Sequence, residues 1–275
     1  PENVNDLKQA ILQLAVQGKL TEKWRKENPN VEPASVLLEK IAKEKEKLIK
    51  EGKIKKQKPL PEIADEEKPV EVHLTWEWIR LGDFISLMDA GWSPQCEKHP
   101  VNDDRAWGVL KTTAVQVNEF NPNENKALPT HLEARPEYSV SKGDVLITRA
   151  GPKHRVGICC VVDRDIPYLM ISDKIIRMRF MPGLYLPEFI PLVLSYGWSA
   201  DCIEEKKSGM AYSQMNISQP KLRMIPVPVL PLEEQAEIVR IGNELLTRAS
   251  TLESLLQKNI GTSISIADSI MARNN

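Results

Sequence analysis

Three short stretches of the 275-residue chain gather side chains suited to holding an extended, charged ligand with hydrogen-bonding edges. The first is Lys111-Thr112-Thr113. The second runs from Arg149 to Arg155 and brings Lys153 and His154. The third runs from Lys206 to Asn216 and brings Lys207, Ser208, Tyr212 and Gln214. Guanidinium and carboxamide groups can form two parallel hydrogen bonds to the edge of a nucleobase, whereas hydroxyl and ammonium groups more often hold phosphate oxygens. Gly151 and Gly209 sit inside two of these stretches, where a backbone without Cβ can approach a phosphate closely. The same composition fits ordinary solvated turns, and at this point both readings stand for every residue named.

Other chemistry finds little support. Cys96, Cys159, Cys160 and Cys202 show no C-x-x-C spacing, and the adjacent pair would face opposite sides of a strand. They read as small buried side chains in a reducing compartment. His73, His99, His131 and His154 are scattered, so no metal site is expected. The chain contains no phosphate-binding loop ending in Gly-Lys-Ser/Thr, no G-x-G-x-x-G and no G-x-S-x-G elbow. Asn121-Pro122-Asn123-Glu124 comes nearest to the Asn/Asp-Pro-Pro-aromatic tetrad of a base methyltransferase, but lacks the second proline and the aromatic. The pairs Asp103-Asp104 and Asp163/Asp165 sit in turn-like contexts and read as solvated acids. Together these point away from catalysis within the chain, and no cofactor is expected.

The loops need a frame. An apolar share of 41% is ordinary for a globular protein with a proper core. No run of about 18 apolar residues suggests a membrane helix, and the polar start Pro1 to Asp6 lacks a signal peptide's apolar region, so a cytoplasmic location is expected. The net charge of −1 divides into +1 over residues 1–73, zero over 74–230 and −2 over 231–275, so overall charge does not speak for nucleic acid. Lys40 to Lys58 holds nine lysines against Glu44, Glu46 and Glu51, which suits a solvated helix face or a phosphate-tracking arm.

Three textures follow one another. Residues 1–73 form a helical arm and linker. Leu7, Ile11, Leu14 and Gly18 make one apolar stripe, and a second helix with Val36, Leu37, Ile41 and Leu48 runs from Pro33 to Gly52. The Lys/Glu/Pro-rich stretch 53–73 reads as an extended tether. Residues 74–230 are strand-rich, with strands expected at Val109 to Val117, Asp144 to Thr148, Val156 to Val162 and Ile175 to Phe180. Turns are expected at Lys142-Gly143-Asp144 and Met181-Pro182-Gly183, a helix from Leu186 to Trp198, and a short element from Gln219 to Ile225. Residues 231–275 form a long helix opened by Pro231 and Glu233-Glu234, with Ile238, Ile241, Leu245, Leu252, Leu255 and Leu256 along its seam. The fold class expected is α+β: a mixed, strand-rich domain flanked by long helices that pack as an antiparallel, coiled-coil-like spacer. Trp76, Trp78 and Trp92 are expected in the core or at a domain junction rather than as base-stacking platforms.

Six stations in order resemble the specificity subunit of type I restriction-modification enzymes, or one half of it. They are Leu7 to Leu20; Ala34 to Ile41 with the lysines after it and Lys58-Pro59-Leu60-Pro61; Trp76 to Asp83; Gly91-Trp92-Ser93-Pro94; Gly143 to Gly151 with Arg155-Val156-Gly157; and Ile225 to Gln235 leading to Ile238-Val239. The resemblance implies that residues 74–230 are a target-recognition domain reading one half of a split sequence in double-stranded DNA. It implies that the arms set the half-site spacing and seat methylation subunits, through which restriction subunits join. The three loops would then carry the DNA contacts, and the chemistry would belong to the partners. A homodimer through the helical arms would restore a two-domain layout. Whether the chain is a natural half or an excised one stays open. So do two alternatives: the recognition half of another methylation or phage-exclusion system, and a helical interaction scaffold that never touches DNA.

Overall fold

The structure is a computed structural model. It describes residues 2–68, 73–101, 103, 105–181 and 183–273, with side chains at residue 4 and, within those ranges, from 6 to 259. The expectations that touch linker residues 69–72, Asp104 and Pro182 lie outside the described residues. The chain forms two compact units, one from residues 1–27 with 237–275 and one from 28–236.

Helix α1 (Glu2–Val16) ends where Gly18 takes a left-handed φ of 69°. A single 3-10 turn and α2 (Glu22–Glu27) follow. Helix α3 (Ala34–Lys50) begins after Pro33 and stops at Gly52, whose φ of 71° ends it as expected. The apolar face of α1 differs from the expected stripe. Val4, Ile11, Leu12 and Ala15 are buried, while Leu7 and Leu14 are exposed. Successive residues turn about 100° around a helix, so Leu12 and Ala15 share a face that Leu14 cannot join.

The larger unit continues with β1 (Glu77–Arg80), α4 (Leu81–Phe84) and β2 (Ile85–Ala90). Then come β3 (Gly108–Leu110), β4 (Val115–Gln116), β5 (Glu119–Phe120) and β6 (Asn125–Ala127). The expected strand from Val109 to Val117 is therefore two strands, interrupted by a 3-10 turn at Thr112–Ala114. Next are β7 (Val145–Thr148), β8 (Ala150–Gly151), β9 (Cys159–Val161), β10 (Leu169–Met170) and β11 (Ile175–Phe180). The strand at Cys159–Val161 is shorter than expected, because Arg155 and Gly157 before it belong to a turn.

One helix was expected from Leu186 to Trp198. Two are present, α5 (Phe189–Ser195) and α6 (Trp198–Lys206), separated at Gly197, whose φ is 70°. The unit closes with β12 (Met215–Asn216), α7 (Gln219–Arg223) and β13 (Pro226–Val229), and α8 (Leu232–Arg273) leaves it. Among the described residues strand β13 pairs with β1 alone, so Pro226 and Pro228, which lack N–H donors, disrupt no second ladder there.

The central sheet has the order β2-β11-β7-β9 and is antiparallel throughout. A second sheet, β10-β3-β6, joins one parallel and one antiparallel pair. Leu110, Val115, Leu146, Cys160, Leu169, Ile171 and Ile175 pack together in one hydrophobic core cluster. Burying apolar side chains of this size contributes roughly 1.5–3 kcal/mol each. Charged groups lie within this interior too. Arg177 is 1% exposed and binds Asp89 through both carboxylate oxygens at 3.0 and 2.5 Å. It also donates to the carbonyls of Ser139 at 2.5 Å and Glu137 at 2.9 Å. Arg179, on the same strand, pairs with the buried Asp144 at 2.6 Å.

Residues 57–67 do not form a free tether. Arg80, 3% exposed, donates to the carbonyls of Pro61, Glu62 and Met224 and grips Glu67 at 2.5 and 2.8 Å. Trp198 Nε1 donates to the Glu67 carbonyl at 3.1 Å, and Arg223 donates to the Gln57 carboxamide. Leu60 fills the notch left by Gly82, where a Cβ would come within 2.6 Å of it. The stretch is a strap fastened across its own unit. Composition resembles that of a linker, but the buried guanidinium needs carbonyl acceptors and the strap supplies them. Helix α3 belongs to this unit too, with Lys45 reaching the carbonyls of Gly82 and Asp83 at 3.4 and 3.2 Å.

In the same unit Trp76 is buried and donates from Nε1 to Glu234 at 2.8 Å, near the start of α8. In the smaller unit, Val4, Ile11 and Ala249 close on Leu20, Leu245 and Leu246, and Lys8 pairs with Glu253 at 2.7 Å. The expected seam of α8 is buried at Ile238 and half-buried at Ile241 and Leu245. Leu252, Leu255 and Leu256 are exposed. Among the described residues no helix is long and apolar enough to cross a membrane.

Candidate nucleic-acid interface

The three loops named from the sequence come together in the larger unit. Strand β8 pairs with β12 in the register Met215↔Gly151 and Asn216↔Ala150, which joins the Arg149–Arg155 loop to the Lys206–Asn216 loop. The join is reinforced by Lys153 N, which donates to the Tyr212 carbonyl at 2.7 Å, and by Ile217 N, which donates to the Arg149 carbonyl at 2.9 Å.

Arg155 draws in the third loop. Its guanidinium donates to the carbonyls of Thr112 at 2.7 Å and Val115 at 2.8 Å, and to the Gln116 carboxamide at 3.2 Å. Its own carbonyl accepts from the Thr148 hydroxyl at the end of β7. Burial holds the Arg155 guanidinium below its ordinary pKa, so this cation is part of the framework rather than of a surface.

Each candidate has a distinct setting. Lys111 pairs with Glu124 at 2.7 Å, and the Thr113 hydroxyl donates to the same carboxylate. Those two bonds hold the Glu124 carboxyl below its usual range. Thr112 serves through its carbonyl, as described. Lys153 pairs with Glu204 at 2.8 Å and lies 5.5 Å over the ring of Tyr212. Lys207 is largely buried, shares the Glu204 carboxylate and donates to the Lys153 carbonyl at 3.2 Å. Glu204, held between two ammonium groups, is pushed down, and it raises Lys153 in turn.

Ser208 exchanges two backbone bonds with Asn216, each 2.8 Å, and its hydroxyl accepts from Lys221 at 3.0 Å. Lys221 also caps the Lys206 carbonyl at 2.9 Å. Arg149, half-buried, and His154, exposed, have side chains with no hydrogen-bond partner among the described residues. Tyr212 (77% exposed), Gln214 and Asn216 point their side chains outward.

The result is one face on which Lys111, Arg149, Lys153, Lys206 and Lys207 outnumber Glu124 and Glu204, the carboxylates that pair with some of them. Such a face can take the phosphates of an extended polyanion, with outward carboxamides free to meet base edges. Sequence reasoning missed the two carboxylates, Lys221 and Gln116. Glu204 could have been found, since it precedes Lys207 by three residues at the end of a helix. Lys221 and Gln116 carry no local signal. Burial raises Cys159, and raises Cys160 to about 12, so neither thiol is available for chemistry. Among the described residues no cluster of His, Cys, Asp and Glu could hold a metal ion.

The larger unit is thus a strand-rich domain presenting three fastened loops, with a strap on its own surface. No protein-family model matches the chain. Among curated proteins it is 48% identical over 268 residues to the type I restriction enzyme EcoEI specificity subunit of Escherichia coli, which covers 98% of this chain and 44% of that protein. It is 32% identical over 271 residues to the EcoAI specificity subunit of the same species, covering 98% and 44%. By sequence the chain is similar to one half of a type I restriction specificity subunit. It spans less than half the length of these relatives. The solved HsdS subunit of Thermoanaerobacter tengcongensis is 17% identical at a TM-score of 0.47, covering 88% of this chain and 51% of that one, which is too distant to inform the fold.

Proposed function

We propose that this chain is the non-catalytic, DNA-reading part of a type I restriction-modification system, and that it reads one half of a split target. The observation that carries the reading is the convergence of the three loops on one face, fastened by Arg155 and the β8–β12 ladder. Of the thirteen candidate residues, Arg149, His154, Lys206, Tyr212, Gln214 and Asn216 are assigned to direct contact. Lys111, Thr112, Thr113, Lys153, Arg155, Lys207 and Ser208 hold the loops in place through the bonds described above. Functionally, residues 74–230 recognise DNA, while residues 1–73 and 231–275 act as spacer arms that seat methylation subunits and, through them, restriction subunits. That division is by role, and the compact units break elsewhere, at 27/28 and 236/237.

The smaller unit leaves Leu7, Leu14, Leu252, Leu255 and Leu256 uncovered. In this reading they take a second copy of the chain or the remaining half of a subunit, within the cytoplasm. The test is to map methylated adenines in cells that carry the chain with its methylation subunits. Methylation of a split sequence, abolished by Arg149→Ala combined with Gln214→Ala, is the expected result. Methylation indifferent to both substitutions overturns the assignment of this face.

A further inference from the structure

We propose that the tip of the loop between α6 and β12 is an apolar wedge, with Met210 entering a base step of the duplex and Tyr212 backing it. This deepens the DNA-reading role proposed above and rests on it. Met210 has no protein atom covering its side chain, and Tyr212, two residues on, is 77% exposed. A single exposed apolar residue on a flexible turn would mean little. Here the turn is held.

Its neck is closed by the two 2.8 Å bonds between Ser208 and Asn216, and its crown by Gln214 N donating to the Ala211 carbonyl at 2.9 Å. Gly209 lies against the Gln214 carbonyl and Met215 so closely that no Cβ fits there, and the neck can be built only with glycine. The far side is anchored by the β8–β12 ladder and by Lys153 N on the Tyr212 carbonyl. A rigid neck keeps two large apolar groups in water at the rim of the cationic face, with Lys153 over the Tyr212 ring.

The chemistry of the rim selects the occupant. Lys153, over the Tyr212 ring, and Lys207 share the single Glu204 carboxylate, and the net positive charge left beside the tip favours phosphates over an apolar protein surface. Apolar side chains such as methionine and leucine partly unstack a base step when inserted, and the duplex kinks there. The cost falls with sequence, since pyrimidine–purine steps open most readily. The tip thereby contributes discrimination at a step where no base edge is hydrogen-bonded.

The experiment uses the chain assembled with its methylation subunits and a duplex bearing the methylated sequence of its own system. 2-Aminopurine is placed at successive steps across the site, and bending is followed by energy transfer between labelled ends. The intact protein is expected to give a fluorescence rise at one step and a bend. Met210→Ala is expected to lose both and to bind about tenfold more weakly with an unchanged salt slope, while Met210→Leu retains them. Equal fluorescence and bending for Met210→Ala and the intact protein overturn the wedge and leave the DNA-reading role standing. Met210→Ala that releases the methylation subunits while binding DNA normally overturns it in favour of a protein contact. Failure of the intact complex to bind the duplex overturns the underlying reading, and the wedge with it.

Discussion

Arg177 and Arg149 lie in the same unit and are both close to β7, yet the structure uses them in opposite ways. Arg177 sits in the sheet, 1% exposed, with four hydrogen bonds to Asp89, Ser139 and Glu137. Arg149 stands at the loop face, and its side chain bonds to none of the described residues. Arg155 lies between these extremes, at the face but turned inward on Thr112 and Val115. The lesson is that position in a cation-rich stretch does not assign a role. What assigns it is whether carbonyls of the fold already claim the guanidinium.

Substitutions can break this ordering, and the largest effect belongs to the interior. Arg177→Met leaves the Asp89 carboxylate without its partner, and unfolding in urea should show a loss of about 3–5 kcal/mol. A midpoint shift no greater than that of a surface change would show that the ion pair is incidental to the sheet. Arg155→Ala should lose about 1–3 kcal/mol, because two buried carbonyls lose their donor. DNA binding should fall with it, and Arg155→Lys should not restore either, since an ammonium cannot span the acceptors. Full binding by Arg155→Ala would separate the loops' convergence from their function.

Arg149→Ala should do the reverse, leaving stability within about 0.5 kcal/mol. Cognate binding should weaken by about 1–3 kcal/mol, read by titration of labelled duplex. The smallest effect concerns the strap. Arg80 holds the Glu67 carboxyl down to about 2, against an ordinary value of 4.5. Its contribution is therefore complete above the ordinary value and disappears as the pH falls from about 4.5 towards 2. Thermal unfolding across that window should be flatter for Glu67→Gln, and identical slopes would remove Glu67 from the acid response.

Much of the frame was legible in the sequence. Strands at 145–148 and 175–180 follow from β-branched runs, and Pro33, Gly52 and Pro231 mark helix ends where the structure has them. The loops were legible as a set of residue types. Their meeting was not, because it depends on a two-residue ladder between segments some sixty positions apart and on where one guanidinium turns. The face of α1 was misread because the sequence offers two overlapping apolar stripes. The choice between them is made by Leu20, Leu245 and Ala249, which sequence spacing cannot place. The strap was misread for a similar reason, since Lys, Glu and Pro give no periodicity whether a segment is free or fastened.

The strap has a consequence for how the chain should respond to cutting. A protease that cleaves after lysine meets exposed Lys53, Lys55 and Lys56, just before the fastened part. A nick there should produce two pieces on a denaturing gel and one on a sizing column. Lys45 on the carbonyls of Gly82 and Asp83, and Ala34 N on the Thr75 carbonyl, would keep the fragments joined without a peptide bond.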